Sequence, residues 1–584
     1  MDFLYAFVDK IRKRCYTGIQ EVRAMKRTEK TRDKLFNFRP IFFVAVFLCM
    51  GIVFAYAHTV HDVSVWWILL GFPFAAAPFC FCRSKKQLWK TACALVSVFV
   101  AFTVGEASFR LSLSEYCDCG QYEIETLVTG RVVEKTDYGG LCSVVLADVK
   151  IGKNTEDKKL NAYLPASFFE NLRLSDEILL QGKVVTDTAY FDQYGFRATD
   201  IKKGICFFMT VTEEENCLVV GHEFDLFSEM LERIETVVYA GMDETSAAVT
   251  MAVLTGDTSS IETGLLDNIR MGGIAHIFAV SGLHVGALFA FCLMLVEKTR
   301  LKKLSRPLRF LLTALVVFFY AGICGFSASV VRAAVLCLIG YAAKSFGVTS
   351  DSLQALGAAA IVILLFAPTS LFEVGFQLSF AACLGIILLG RRISHALNAL
   401  CSAGKKFVTK LFKLDKRPSP HPERRNDDDT HPPEIPERIR RAIVSFLSVM
   451  LAAQIATAPI LLQTYGFLSG WSLLLNALFV PLISTVFSLL LLFVAIACIL
   501  PTSAIVIVLY LPSVVWSALL LVFQTVDFST FALTGITLSA GGELCYYGGW
   551  QFLSDKWNLS ENAKIALSTL CFSAFAVIMV ALNF

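Results

Sequence analysis

The chain has 584 residues, 55% of them hydrophobic and 17% charged, with 49 Phe and a mean hydropathy of +0.61. That balance excludes an ordinary soluble enzyme and points to a polytopic membrane protein. The net charge is only +3, so bulk charge announces no polyanionic partner, and any such partner must be met by local groups.

Residues 1–39 form a basic tail, and because so many polar residues precede the first long apolar run, no cleavable signal peptide is expected. Apolar segments of membrane-crossing character follow near 40–57, 64–82, 88–105, 273–296, 308–324, 328–343, 353–367, 374–390, 443–463, 471–499, 503–525 and 562–582. These predict about 11–13 transmembrane helices, with a bend allowed at Pro481. Basic flanks at 1–39, 83–90, 297–309 and from Arg391 are self-consistent as cytoplasmic, so the three helices of 40–105 leave the chain outside.

The insertion at 106–222 reads as strands. "YEIETLVTGRVVEK", "GGLCSVVLADVKIG", "KKLNAYLP", "DEILLQGKVVTD" and "GICFFMTVTEEE" alternate apolar and polar residues between turn signals, and Gly-(Arg/Lys)-Val-Val recurs at 130–133 and 182–185. Five short strands suggest a small extracytoplasmic β-barrel of the OB type, a fold that often binds oligonucleotides. Its charge argues against simple DNA capture: 11 Lys/Arg face 17 Asp/Glu over 117–220, a net of −6. Cys117, Cys119, Cys142, Cys206 and Cys217 lie here, and an oxidising compartment would permit one or two disulfides whose pairing the sequence does not give.

Residues 223–270 read as amphipathic or interfacial helices: Phe227, Met230, Leu231, Ile234, Val237 and Val238 form one stripe, and Ser259 with Glu262 offers a capping box. A first membrane half, 271–390, is followed by a Pro-rich, mixed-charge segment, 391–441, expected to be a disordered cytoplasmic linker. A second membrane half occupies 442–584.

Several polar groups interrupt the apolar text. His276, Ser281 and His284 share an arc of roughly 140° if 273–296 is one continuous helix. Arg332 sits one turn after Ser329 in "GFSASVVRAAV", and Gln377, Gln454 and Asn476 interrupt later spans. Gln and Asn in spans serve more often as interhelical hydrogen-bond partners than as a path, whereas a buried cation or imidazole pair is harder to account for structurally. Glycines at 272, 273, 282, 286, 322, 325, 375 and 385 offer small faces for close helix approach. Ser281 and His284 also raise an intramembrane hydrolase, but no orienting acid lies in that run and no Gly-x-Ser-x-Gly elbow is present. The eight histidines fall in no His-x-His or His-Glu-x-x-His pattern, so no metal site or cofactor is expected.

"GDTSSIETGLLDNIRMGGIAHIFAVSGLHVGAL" (256–288), "GFSASVVRAAV" (325–335), "APTSLFEVGFQLSF" (367–380) and "QIATAPILLQTYGFLSGWSLLLNALFVPL" (454–482) resemble, in order, the signature blocks of the ComEC competence family. "FDQYGFRATDIKKGI" at 191–205 is similar to the segment closing that family's extracytoplasmic domain, so the likeness spans roughly 40–525. The resemblance implies a multi-pass protein of the bacterial cytoplasmic membrane forming a channel for single-stranded DNA in natural transformation. It implies as partners a cytoplasmic helicase-like ATPase, an extracytoplasmic DNA receptor and a separate nuclease, and a homo-oligomer is compatible with it. Long family members add a metallo-β-lactamase-like domain with a His-x-His-x-Asp-His motif; this sequence lacks the motif, so no nuclease activity is carried over. On this reading His276, Ser281, His284 and Arg332 are path or gate residues, with Gln377, Gln454 and Asn476 behind them. The rival reading is a DNA-independent transporter on the same scaffold.

Overall fold

The structure, a computed structural model, describes residues 39–61, 85–137, 142–186, 197–278, 282–345, 351–411, 435–535, 539–554 and 560–583. The basic tail, the span expected at 64–82 and most of the Pro-rich segment lie outside the described residues. The chain folds as two units, Pro40–Cys383 with Ile460–Gly535, and a smaller one comprising Leu384–Pro459 and Ile536–Phe584.

In the larger unit, α1 (Pro40–His61) and α2 (Lys85–Cys117) cross closely because glycines meet backbone. A Cβ on Gly51 would fall 2.1 Å from the Phe102 carbonyl oxygen, and one on Gly105 would fall 2.3 Å from that of Leu48.

Helix α2 leads into the β domain, formed by β1 (Glu123–Asp137), β2 (Cys142–Ile151), β3 (Lys159–Leu164), the short helix α3 (Ala166–Asn171), β4 (Asp176–Thr186), α4 (Ala198–Lys203), β5 (Ile205–Thr210) and β6 (Cys217–His222). The period-2 pattern places Val128, Val144, Leu146, Leu160, Ile178, Leu180 and Val184 inside, each fully buried. Neighbours run β1-β2-β3-β5-β4, and β4 returns to β1 with Gly130 opposite Ile178, closing a five-stranded barrel. All these pairs are antiparallel except β3 with β5. The sequence reading found all five barrel strands and missed β6, which pairs along β4 from Asp176 to Leu180. Cys206 Sγ donates to the Tyr116 carbonyl at 3.4 Å.

Helix α5 (Leu226–Gly241) is capped by Asp225, whose carboxylate accepts from the Ser228 N–H. Along its apolar stripe Phe227, Met230, Leu231 and Ile234 are half-buried. Val237 and Val238 are fully buried, and Phe227 packs on Gly322, where a Cβ would lie 2.2 Å from the ring. Next, α6 (Glu244–Thr255) is buried from Ser246 to Thr255. The capping box does not form: α7 (Thr263–Met271) starts after Glu262 with no side-chain cap, and Ser259 N–H instead donates to Asp257.

Over the expected span 273–296 the described helices are α8 (Ala275–Phe278) and α9 (Gly282–Lys298), and residues 279–281 between them lie outside the described residues. Then come α10 (Arg306–Ile323), α11 (Ala328–Ser345), α12 (Ser352–Phe366), α13 (Val374–Leu411), α14 (Ile435–Tyr465), α15 (Ser472–Ala497) and α16 (Thr502–Thr525). Pro481 lies inside α15. Helix α13 runs past Arg391 to Leu411, so helix replaces the first part of the expected disordered linker. Seven helices among the described residues are long and apolar enough to cross a membrane, and four shorter apolar helices accompany them. This is a helical membrane protein carrying a small β-barrel.

The smaller unit adds α17 (Ala540–Leu553), absent from the sequence reading, and α18 (Glu561–Asn583). Pro459 inside α14 has no N–H, so the carbonyl of Ile455 loses its helical partner. Tyr546 of α17 donates its hydroxyl to that oxygen at 2.8 Å, and Tyr547 donates to the Ala456 carbonyl at 3.0 Å.

Candidate path residues in the membrane core

Four of the residues singled out in the sequence, His284, Arg332, Gln377 and Asn476, sit on four helices, α9, α11, α13 and α15, and all four lie in the larger unit. His284, in the first turn of α9, is fully buried, and its ring lies against Phe487 of α15 with centroids 4.6 Å apart. Phe487 in turn meets Tyr320 of α10 edge-on, and the Tyr320 hydroxyl donates to the Leu254 carbonyl at 3.1 Å. At the start of α9, a Cβ on Gly282 would lie 3.5 Å from that of Ala333, so α9 enters the core beside the α11 turn that carries Arg332.

Arg332 is 1% exposed. One guanidinium nitrogen, Nη2, donates to the Gly375 carbonyl at 2.7 Å, and the group lies over the Phe376 ring, 5.7 Å from its centroid. Nε and Nη1 are buried with no hydrogen-bond partner among the described residues. A guanidinium holds five N–H donors and stays charged, so two empty nitrogens inside an apolar helix layer are costly. Glu373, just ahead of α13, is near enough for its charge to attract Arg332. Its carboxylate is also held by Lys202 of the β domain at 3.0 and 3.1 Å. The chain therefore places a cation, a carboxylate and a second cation in sequence from the membrane layer to the barrel. Glu373 escaped the sequence reading, although it is the lone charge between Ser352 and Gly390.

The remaining candidates divide. Asn476 Nδ2 reaches Ser472 Oγ at 3.0 Å and the Gly273 carbonyl at 3.4 Å, holding the turn between α7 and α8. Gly273 has φ +73°, and a Cβ there would lie 2.7 Å from that of Ser472. Gln377 donates to the Leu371 carbonyl at 3.1 Å, which closes the turn ahead of α13. His276 is exposed on α8, Ser281 lies outside the described residues, and Gln454 belongs to α14 of the smaller unit. The structure thus brings His284, Gly282 and the Arg332 turn together, and puts Asn476 and Gln377 in supporting bonds.

The family model for competence proteins matches residues 253–554. Over 143 residues the chain is 34% identical to ComE operon protein 3 of Bacillus subtilis strain 168; the match covers 24% of this chain and 18% of that protein. No solved structure matches significantly. The matched region contains His284, Arg332, Glu373 and Asn476, and it covers more than half of the sequence: the chain belongs to the competence protein family.

Proposed function

We propose that this protein is a channel of the bacterial cytoplasmic membrane that passes single-stranded DNA inward during natural transformation. The observation that carries the reading is Arg332, a fully buried guanidinium with two unfilled nitrogens inside the family-matched helices. A DNA strand bears one negative charge per nucleotide and needs a polar or cationic lining to cross hydrocarbon. Arg332 offers donors of the right kind for phosphate, and Gly375 alone uses one of them. At 1% exposure Arg332 sits in a closed conformation, so passage requires α11 and α13 to separate around it. His284 and Phe487 form the adjoining wall, where an aromatic face tolerates any base.

The barrel outside the membrane layer is read as an OB fold, supported by its order β1-β2-β3-β5-β4, its closure of β4 on β1 and its parallel β3–β5 pair. Its acidic surface assigns it a gating or docking role rather than DNA capture. A cytoplasmic helicase-like ATPase, an extracytoplasmic DNA receptor and a separate nuclease complete the system in this reading.

The test is entry of labelled DNA into nuclease-protected form, comparing a deletion strain complemented with wild type, Arg332→Ala or His284→Ala proteins of matched membrane abundance. Loss of entry by at least about 10-fold with Arg332→Ala is expected, on the scale of one charged hydrogen-bonding group. Equal entry in the deletion strain, in a demonstrably competent host, overturns the reading and favours a DNA-independent transporter.

A further inference from the structure

A second polar site lies in the smaller unit. Between α13 and α17 is a cavity of about 690 Å³, walled by Leu389, Arg391, Arg392, His395, Trp550 and Leu553 among others. Among the described residues no carboxylate lines it. Its position along α13 is informative: residues 374–390 contain no charge, and Arg391 and Arg392 are the first to follow. Seventeen apolar or uncharged residues of helix rise roughly 25 Å, close to the thickness of a bilayer's hydrocarbon core. The arginines therefore stand where an apolar helix leaves the membrane, with an indole beside them, the residue pair that marks a lipid headgroup boundary. The same end of the unit carries more positive charge, since Arg440 of α14 donates to Asn398 of α13 at 3.1 Å, one to two turns beyond the cavity.

We infer that this cavity binds an anionic phospholipid, with Arg391, Arg392 and His395 around the phosphate and Leu389, Trp550 and Leu553 against the first acyl carbons. The walls decide between a lipid and a free phosphate. Purely ionic recognition would not need three large apolar side chains, whereas a headgroup with attached chains needs both faces. The volume suits a headgroup and glycerol rather than a whole lipid, so the chains extend along the helices into the bilayer. By the basic flanks this is the cytoplasmic leaflet. The site is independent of the DNA reading and would stand if that reading failed.

Full-length protein, purified in detergent and stripped of lipid, would be mixed with phosphatidylglycerol or phosphatidylcholine of identical chains, and retention scored by native mass spectrometry. Phosphatidylglycerol should be retained roughly 25-fold more strongly, about fivefold for each arginine at a membrane surface. Arg391→Gln with Arg392→Gln should reduce retention to the phosphatidylcholine level, and Arg391→Lys with Arg392→Lys should restore most of it. Leu553→Glu, which leaves both arginines in place but adds a carboxylate to the wall, should also abolish the preference. This third variant keeps the test decisive if the double Gln protein does not fold. Inorganic phosphate and a short oligodeoxynucleotide form the competing arms. Equal retention of the two lipids overturns the proposal, as does displacement of lipid by millimolar phosphate alone. Oligodeoxynucleotide binding that depends on the same arginines overturns it too, and reassigns the cavity to nucleic acid.

Discussion

Gly273 and Gln377 each hold a turn between helices. At Gly273 two constraints coincide, a left-handed backbone and a Ser472 side chain with no room for a methyl group. Gly273→Ala should lower stability by about 1–3 kcal/mol, the usual cost of a strained non-glycine backbone. Ser472→Gly should relieve the steric part and leave about 1 kcal/mol for the backbone. Thermal melts of the single and double variants in detergent measure both. Gln377→Leu should cost about 1–3 kcal/mol, because the Leu371 carbonyl loses its donor at a buried turn. Corrected for folded protein, DNA entry should be unchanged; a drop would move Gln377 from the packing of the turn to the path. Arg332 differs from both in having donors left over, a surplus that no packing role consumes.

At the scale of elements, the smaller unit turns on a proline repaired from another helix. Tyr546→Phe should destabilise by about 1–3 kcal/mol, since the Ile455 carbonyl freed by Pro459 would be left without a donor. In a Pro459→Ala background, where the backbone supplies its own N–H, the same change should be nearly neutral. A double-mutant cycle on thermal stability reads the difference, and equal costs in both backgrounds would refute the pairing.

The barrel and α5 are joined by a histidine clamp. His222 of β6 bonds Asp176 of β4 at 2.8 Å and Glu229 of α5 at 3.1 Å. The bond to Asp176 first, then that to Glu229, pushes the imidazole up from its ordinary value of 6.5. Arg131 and Arg173 add ion pairs to Glu223 and Glu232 along the same junction. A raised native value means that the charged clamp stabilises the junction fully below about pH 6.5 and fades as pH climbs through the raised value. Hydrogen exchange across Cys217–Glu235, corrected for intrinsic rates, should therefore show less protection at pH 8.5 than at pH 6. His222→Gln should flatten that slope.

These elements also show what the sequence could reveal. Alternation in 122–215 was enough for all five barrel strands, because one face of each is buried and a one-residue slip would expose it. Long uniform apolar runs located the crossing helices for the same reason. Burial of Val237 and Val238 of α5 inside the protein was not legible, since lipid and helix offer a stripe the same apolar partner. Nor was α17, whose Gly-Gly and Tyr-Tyr pairs suit a helix only once a neighbour needs hydroxyl donors.

For the whole molecule, the seven long apolar helices among the described residues and the competence family membership agree with a multi-pass membrane protein, which the proposed function reads as a conduit with few polar groups. Sparse lining suits traffic, because a strand held tightly does not move on. The Lys202–Glu373 pair gives the barrel a physical link to the layer of Arg332, so movement outside can bias the core without a ligand between them. The most direct measurement is photo-crosslinking in competent cells during uptake of labelled DNA, with a photoreactive residue at 284, at 332, or at the lipid-facing position 318, where Phe318 is 54% exposed. The account predicts single-stranded DNA adducts at 284 and 332 and none at 318. Ongoing DNA entry without adducts at 284 or 332, or with equal adducts at 318, would contradict it.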